Sequence, residues 1–129
     1  MSMPRGAEAY RQTEAKSRSP LELVVMLYDG ALRFVAEAQE ADANGKIALR
    51  GKAISKTLAI VGELQSTLNI AQGGEIAREL DRLYSYIQGR LLDVTAKKDR
   101  TALPEVHKLL STVRDSWAQI ANPATQVAR

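Results

Sequence analysis

Site chemistry needs side chains that move protons, attack substrates or bind metals, and this chain offers few of them in workable company. His107 is the sole histidine. It sits beside Val106 and Lys108, with no second histidine for a His-based metal site and none of the residues a catalytic pair needs close by in sequence. It reads as a solvated or partly packed surface residue. Cysteine is absent, which excludes a thiolate metal site and a disulfide scaffold and suits a reducing compartment. The carboxylates Glu37 with Glu40, and Glu75 with Glu79, read as solvated pairs. Acids do general acid–base work only where the fold perturbs them, and nothing here predicts burial. Gly73-Gly74 ahead of a helical stretch has the makings of an anion site, but it lacks the Walker lysine and the preceding strand and reads as a turn. Asp29, between Tyr28 and Gly30 in mid-helix, is the odd acid, suited to a structural hydrogen bond or a partner contact. No catalytic, cofactor or metal residue follows, and the chain is predicted not to be an enzyme.

The remaining chemistry is that of surfaces, and the elements that present them are helical. The 129 residues suffice for one domain with one modest core, and 45% are apolar with few aromatics. Leu, Ile, Val and Ala must fill the interior, and abundant Glu, Lys, Arg and Gln favour helix over sheet. No apolar run approaches the roughly 20 residues of a membrane span, and the N-terminus lacks a secretory signal. A cytoplasmic site without membrane insertion is the default expectation. The net charge of +3 belongs to the ends: residues 1–18 hold four basic against two acidic groups, whereas 19–121 hold 13 of each. A body with balanced charge is a poor nucleic-acid binder.

Four helices are predicted between a flexible leader at 1–18 and a disordered tail at 122–129. Ser19-Pro20-Leu21-Glu22 has the makings of a capping box, with Pro at the first helical position. That helix runs to about Ala43, where Asn44-Gly45 stops it. A second runs from about Lys46 to Leu68. After a break at 69–74, a third runs from near Glu75 to near Lys98, acidic at its start and basic at its end. Thr101 is placed to cap a fourth that reaches Ala121, with Pro104 harmless in its first turn and Asn122-Pro123 ending it. Short connections make successive helices antiparallel, so the fold class is all-α, an up-down four-helix bundle spanning 19–121.

At about 100° per residue each helix has a core stripe. The first carries Leu23, Val24, Leu27, Ala31, Phe34, Val35 and Ala38; the second Ile47, Ile54, Leu58, Val61 and Leu68. The third carries Ile76, Leu80, Leu83, Tyr84, Ile87, Leu91 and Val94, and the fourth Val106, Leu110, Val113, Trp117 and Ile120. The first two helices hold more apolar residues than one stripe accommodates. Leu21, Val25 and Leu32 cluster off the core centre in the first, and Leu49, Ala53 and Ile60 in the second. That surplus is either a broader ordinary core or a surface for the leader, a second copy or a partner helix.

Three stretches in order resemble one family. Ser19-Pro20-Leu21-Glu22-Leu23 followed by Met26-Leu27-Tyr28-Asp29-Gly30-Ala31 is similar to the first helix of the flagellin export chaperones, the FliS family. Gly73-Gly74-Glu75-Ile76-Ala77 with Leu83-Tyr84 and Tyr86 resembles their third helix, and Arg114-Asp115 with Trp117 the close of their fourth. Tyr10 matches a tyrosine expected in the leader. The match covers about 10–121. Ser17-Arg18 and Val94-Thr95 depart from the usual Thr-Ala and Ala-Asn pairs.

The resemblance implies a bundle that binds the C-terminal helical region of flagellin in the cytoplasm, blocks premature polymerisation, and delivers the client to a component of the flagellar type III export gate. It also implies a leader that lies over part of the client site. No cofactor is implied, and the free chain is expected to be a monomer or weak dimer. The client-binding candidates, taken from periodicity, are Leu21, Val25, Leu32, Leu49, Ala53 and Ile60, with Tyr10 as the cover and Tyr86 as a further candidate. Replacing Ile60 by Glu is expected to weaken client binding and spare the helices. The competing reading is a generic helical adaptor or regulator that acts by self-association.

Overall fold

Ser19 opens the first helix as predicted: its hydroxyl accepts the Glu22 amide at 3.1 Å, and Pro20 takes the first helical position. The computed structural model describes residues 19–121; the leader 1–18, Tyr10 within it, and the tail 122–129 lie outside the described residues. Helix α1 spans Pro20–Ala43 and closes on Gly45, whose φ of 68° is left-handed. The Lys46 amide then bonds back to the Ala41 carbonyl and the Gly45 amide to that of Asp42, a Schellman stop. Helices α2 (Ile47–Ser66), α3 (Ile70–Ala96) and α4 (Ala102–Ala121) follow.

The helices form a closed ring in which each packs on its sequence neighbours and α4 returns to α1. Side-chain pairs set the directions. Asp29, early in α1, meets Arg114, late in α4, at 2.7 Å, and Asp42, late in α1, meets Arg100, just before α4, at 3.4 Å. The neighbours are therefore antiparallel, as the short connections require. Asp29 is thus a structural partner of α4.

The core holds Tyr28, Ala31, Val35 and Ala38 from α1, Ile54, Val61 and Leu64 from α2, Tyr84, Ile87 and Leu91 from α3, and Leu103, Val106 and Leu110 from α4. Several expectations need correction. Ile47 and Ile76 are 67% and 69% exposed: Ile47 is the first residue of its helix, and Ile76 follows directly on the Gly74 kink, which breaks the register of the stripe. Ile120 is also exposed rather than core. Tyr28, unassigned from sequence, is fully buried. The third helix begins at Ile70, five residues early, because the Asn69 side chain caps the Gln72 amide at 3.1 Å. Gly74 then kinks it with φ 57° and ψ −130°, a backbone that only glycine adopts without strain. The Thr101 hydroxyl is committed elsewhere, donating to Asp99 at 2.6 Å.

Tyr28 and Tyr84 join the bundle across its diagonal. Their hydroxyls lie 2.6 Å apart in the core, with ring centroids at 6.4 Å. Burial pushes both hydroxyls above the ordinary tyrosine pKa, and Tyr84 rises further because it bonds Tyr28. The bond from Tyr84 pulls Tyr28 partly back. Single Tyr28→Phe or Tyr84→Phe replacement leaves one buried hydroxyl without its partner and is expected to cost about 1–3 kcal/mol. The double replacement orphans nothing, so urea titration should give a loss smaller than the sum of the singles; full additivity would show that the hydroxyls are not coupled.

Candidate functional site

Helical spacing divides the sequence-predicted client residues between two flanks of α1. Val25 and Leu32 stand one turn either side of Asp29, and Leu21 a turn beyond Val25, so this stripe shares the flank whose acid reaches Arg114 on α4. All three are half-buried, and Leu32 packs on the core. The α2 stripe faces the other flank. A side chain at Gly30 would meet the Ile60 Cδ1 at 3.3 Å, so Ile60 seals α1 against α2 at a position where glycine makes room. Ala53 is 5% exposed and belongs to the core, whereas Leu49 is 55% exposed. The two stripes therefore do not merge into one surface.

What the structure brings together instead is a groove of about 340 Å³ along the upper α1–α2 seam. Leu49, Ala53 and Ala41 give it an apolar lining. Glu37 and Glu40 stand on its α1 side, Lys46, Lys52 and Lys56 on its α2 side. Below it, the Phe34 ring lies under two cations, Arg33 at 5.0 Å and Lys56 at 5.2 Å from its centroid. Stacking of that kind keeps an aromatic half-exposed at little cost. Periodicity places Phe34 in the core, the sequence reads Glu37 and Glu40 as a solvated pair, and Lys46, Lys52 and Lys56 are given no role. Their signal was present but weak: Glu37, Glu40 and Ala41 follow Phe34 at helical spacing, and Lys52 and Lys56 flank Ala53 at i−1 and i+3.

Residues 3–124 match the family of the flagellar protein FliS. The chain belongs to that family. Among FliS-family relatives, it is 36% identical over 125 residues to the flagellar secretion chaperone FliS of Salmonella typhimurium, with 93% of each chain covered. It is 31% identical over 119 residues to the flagellar secretion chaperone FliS of Bacillus subtilis, covering 92% of this chain and 88% of the relative. The flagellar secretion chaperone FliSB of Pseudomonas aeruginosa is 33% identical over 111 residues, covering 86% and 88%. FliS is a family of chaperones, not of enzymes.

Tyr86 lies apart from the groove, on the α3–α4 seam. Its hydroxyl donates to Glu105 at 2.6 Å. Arg90 gathers the same region, bonding Glu105, Asp93 at 3.0 Å, Asp99 at 2.8 Å and the Thr101 hydroxyl at 3.2 Å. This network ties α3 to α4 and fixes the turn in which Lys98 takes a φ of 52°. Tyr86 and then Arg90 hold the Glu105 carboxyl below its usual range, and bonds from Thr101 and Arg90 hold Asp99 down to about 2. Arg50 and Arg100 do the same for Asp42. Depressed carboxyl pKa values stabilise the fold above the unfolded value of about 4 and lose that contribution as pH falls through the folded value. Urea stability is therefore expected to fall between pH of about 4 and about 2, with a shallower slope in Arg90→Met. An unchanged slope would mean that the Arg90 network does not couple to folding.

Proposed function

We propose that this FliS-family chain is a cytoplasmic secretion chaperone that holds the C-terminal helical region of flagellin along the α1–α2 groove. Bound there, the client is kept from premature polymerisation until it is delivered to the flagellar type III export gate. The observation that carries the reading is the groove's composition: an apolar floor that ends in the exposed Leu49, between rows of charge. An amphipathic helix laid into such a groove buries apolar positions that recur at i, i+3, i+4 and i+7. A client segment that orders only on binding gives up entropy, so a long contact remains compatible with release. The relatives' shared name, flagellar secretion chaperone, supports the choice of client and pathway. No helix among the described residues is long and apolar enough to cross a membrane, which agrees with work on the cytoplasmic side.

Leu49 is the clean probe, because its side chain is outside the core. Burying a leucine on binding is worth roughly 1.5–3 kcal/mol, so Leu49→Glu should weaken binding of a flagellin C-terminal fragment at least about tenfold with helicity and urea midpoint unchanged. Ile60→Glu should lower stability as well as binding, since Ile60 seals the seam against Gly30. Isothermal titration with circular dichroism reads both. The proposal fails if the unaltered chain does not bind the fragment, or if Leu49→Glu binds it unchanged.

A further inference from the structure

The two walls of the α1–α2 groove carry opposite charge and yet do not close on each other. Elsewhere in the described bundle, opposite charges facing each other between elements form ion pairs: Arg50 with Asp42, Arg114 with Asp29, Arg90 with Glu105. Among the described residues, Glu37, Glu40, Lys46, Lys52 and Lys56 form none. The open volume between the walls holds them apart, and Lys56 turns its ammonium to the Phe34 ring instead. A row of acids and a row of lysines, none of them in an ion pair, thus flank an apolar strip. From Glu37 to Asn44 the groove runs about 10 Å along α1 at 1.5 Å per residue, two turns of a docked helix.

We propose that this groove reads the direction of the helix it holds. It takes an amphipathic helix with carboxylates along one edge, set against Lys46, Lys52 and Lys56, and basic groups along the other, set against Glu37 and Glu40. The geometry behind this is simple. Turning a helix end for end while keeping its apolar face down exchanges its left and right edges. A helix docked in the wrong direction then sets its carboxylates against Glu37 and Glu40 and its cations against the lysines. Like charges at close range penalise that arrangement and complementary ones favour the other, so the walls select one direction out of two that the apolar floor alone accepts equally. The inference rests on the reading of the groove as the flagellin site, and it assigns to five residues a task that burial of Leu49 cannot perform.

The test titrates a flagellin C-terminal fragment, spin-labelled at one end, into the unaltered chain and three variants: Lys52→Glu/Lys56→Glu, Glu37→Lys/Glu40→Lys, and all four changes together. Lys108→Glu on exposed α4 surface is the control. Each single-wall reversal should weaken binding by about tenfold at low salt and by less at high salt, while the control is unchanged. The four-fold variant should recover affinity with the label broadening amide resonances at the opposite end of the groove. Circular dichroism confirms that each variant stays folded. If the unaltered chain binds the fragment but wall reversal changes neither affinity nor label position, the direction reading is overturned and the flagellin reading stands. If the unaltered chain does not bind the fragment, both are overturned.

Discussion

One buried hydrogen bond sets the interior of this bundle. Tyr28 and Tyr84 are the polar groups that helices on opposite corners bring into the apolar centre, and each satisfies the other. A hydroxyl buried without a partner is expensive, so α1 and α3 are fixed in the one register that lets the two meet. Trp117, packed on the same core, adds an indole beside Tyr28. The four-helix ring then has to arrange its seams around that fixed diagonal.

The seams differ in kind. Those of α3 are polar: Gln65 of α2 bonds Asp81, Ser85 and Gln88 along one side, and Arg90 gathers Glu105, Asp99 and Thr101 along the other. That of α1 with α4 carries the Asp29–Arg114 and Asp42–Arg100 pairs, whereas that of α1 with α2 is apolar and close along Gly30, Ile60 and the buried Ala53, with the Arg50–Asp42 pair at its end. Hydrogen-bonded seams are already satisfied and leave little for a partner to gain. An apolar seam that opens into a groove at Leu49 still has surface to bury. The division explains why the candidate site falls between α1 and α2, while Tyr86, exposed but bonded to Glu105, belongs to the scaffold.

The number of helices, their order and most of their core positions were legible from the chain because they rest on local rules. Ser19 and Gly45 act where capping chemistry puts them, and the 28–31–35–38 spacing shows afterwards that Tyr28 was always on the core stripe. What periodicity cannot give is which flank of a helix meets which neighbour. Leu21, Val25 and Leu32 looked equivalent to Leu49, Ala53 and Ile60 until the closure of α4 onto α1 put them on opposite sides. Stripes also overran at a helix start, as at Ile47, and beside the Gly74 kink, as at Ile76. The segment at 69–74 read as a break because a capped turn followed by a glycine kink has no periodic signature. The charged walls escaped for another reason: Glu37 and Lys52 are ordinary solvated residues on their own helices and become a pair of walls only when the two helices lie side by side. The name of the client came from motifs in order, not from the physics of any one surface.

The central claim is that flagellin lies in the α1–α2 groove and not on the other exposed apolar positions of the bundle. A photo-crosslinking side chain placed singly at Leu49 and at Leu92, which is equally exposed on α3, tests it directly. With a flagellin C-terminal fragment bound, the account predicts an adduct from position 49 and none from position 92. Crosslinking from 92 with none from 49 would contradict it.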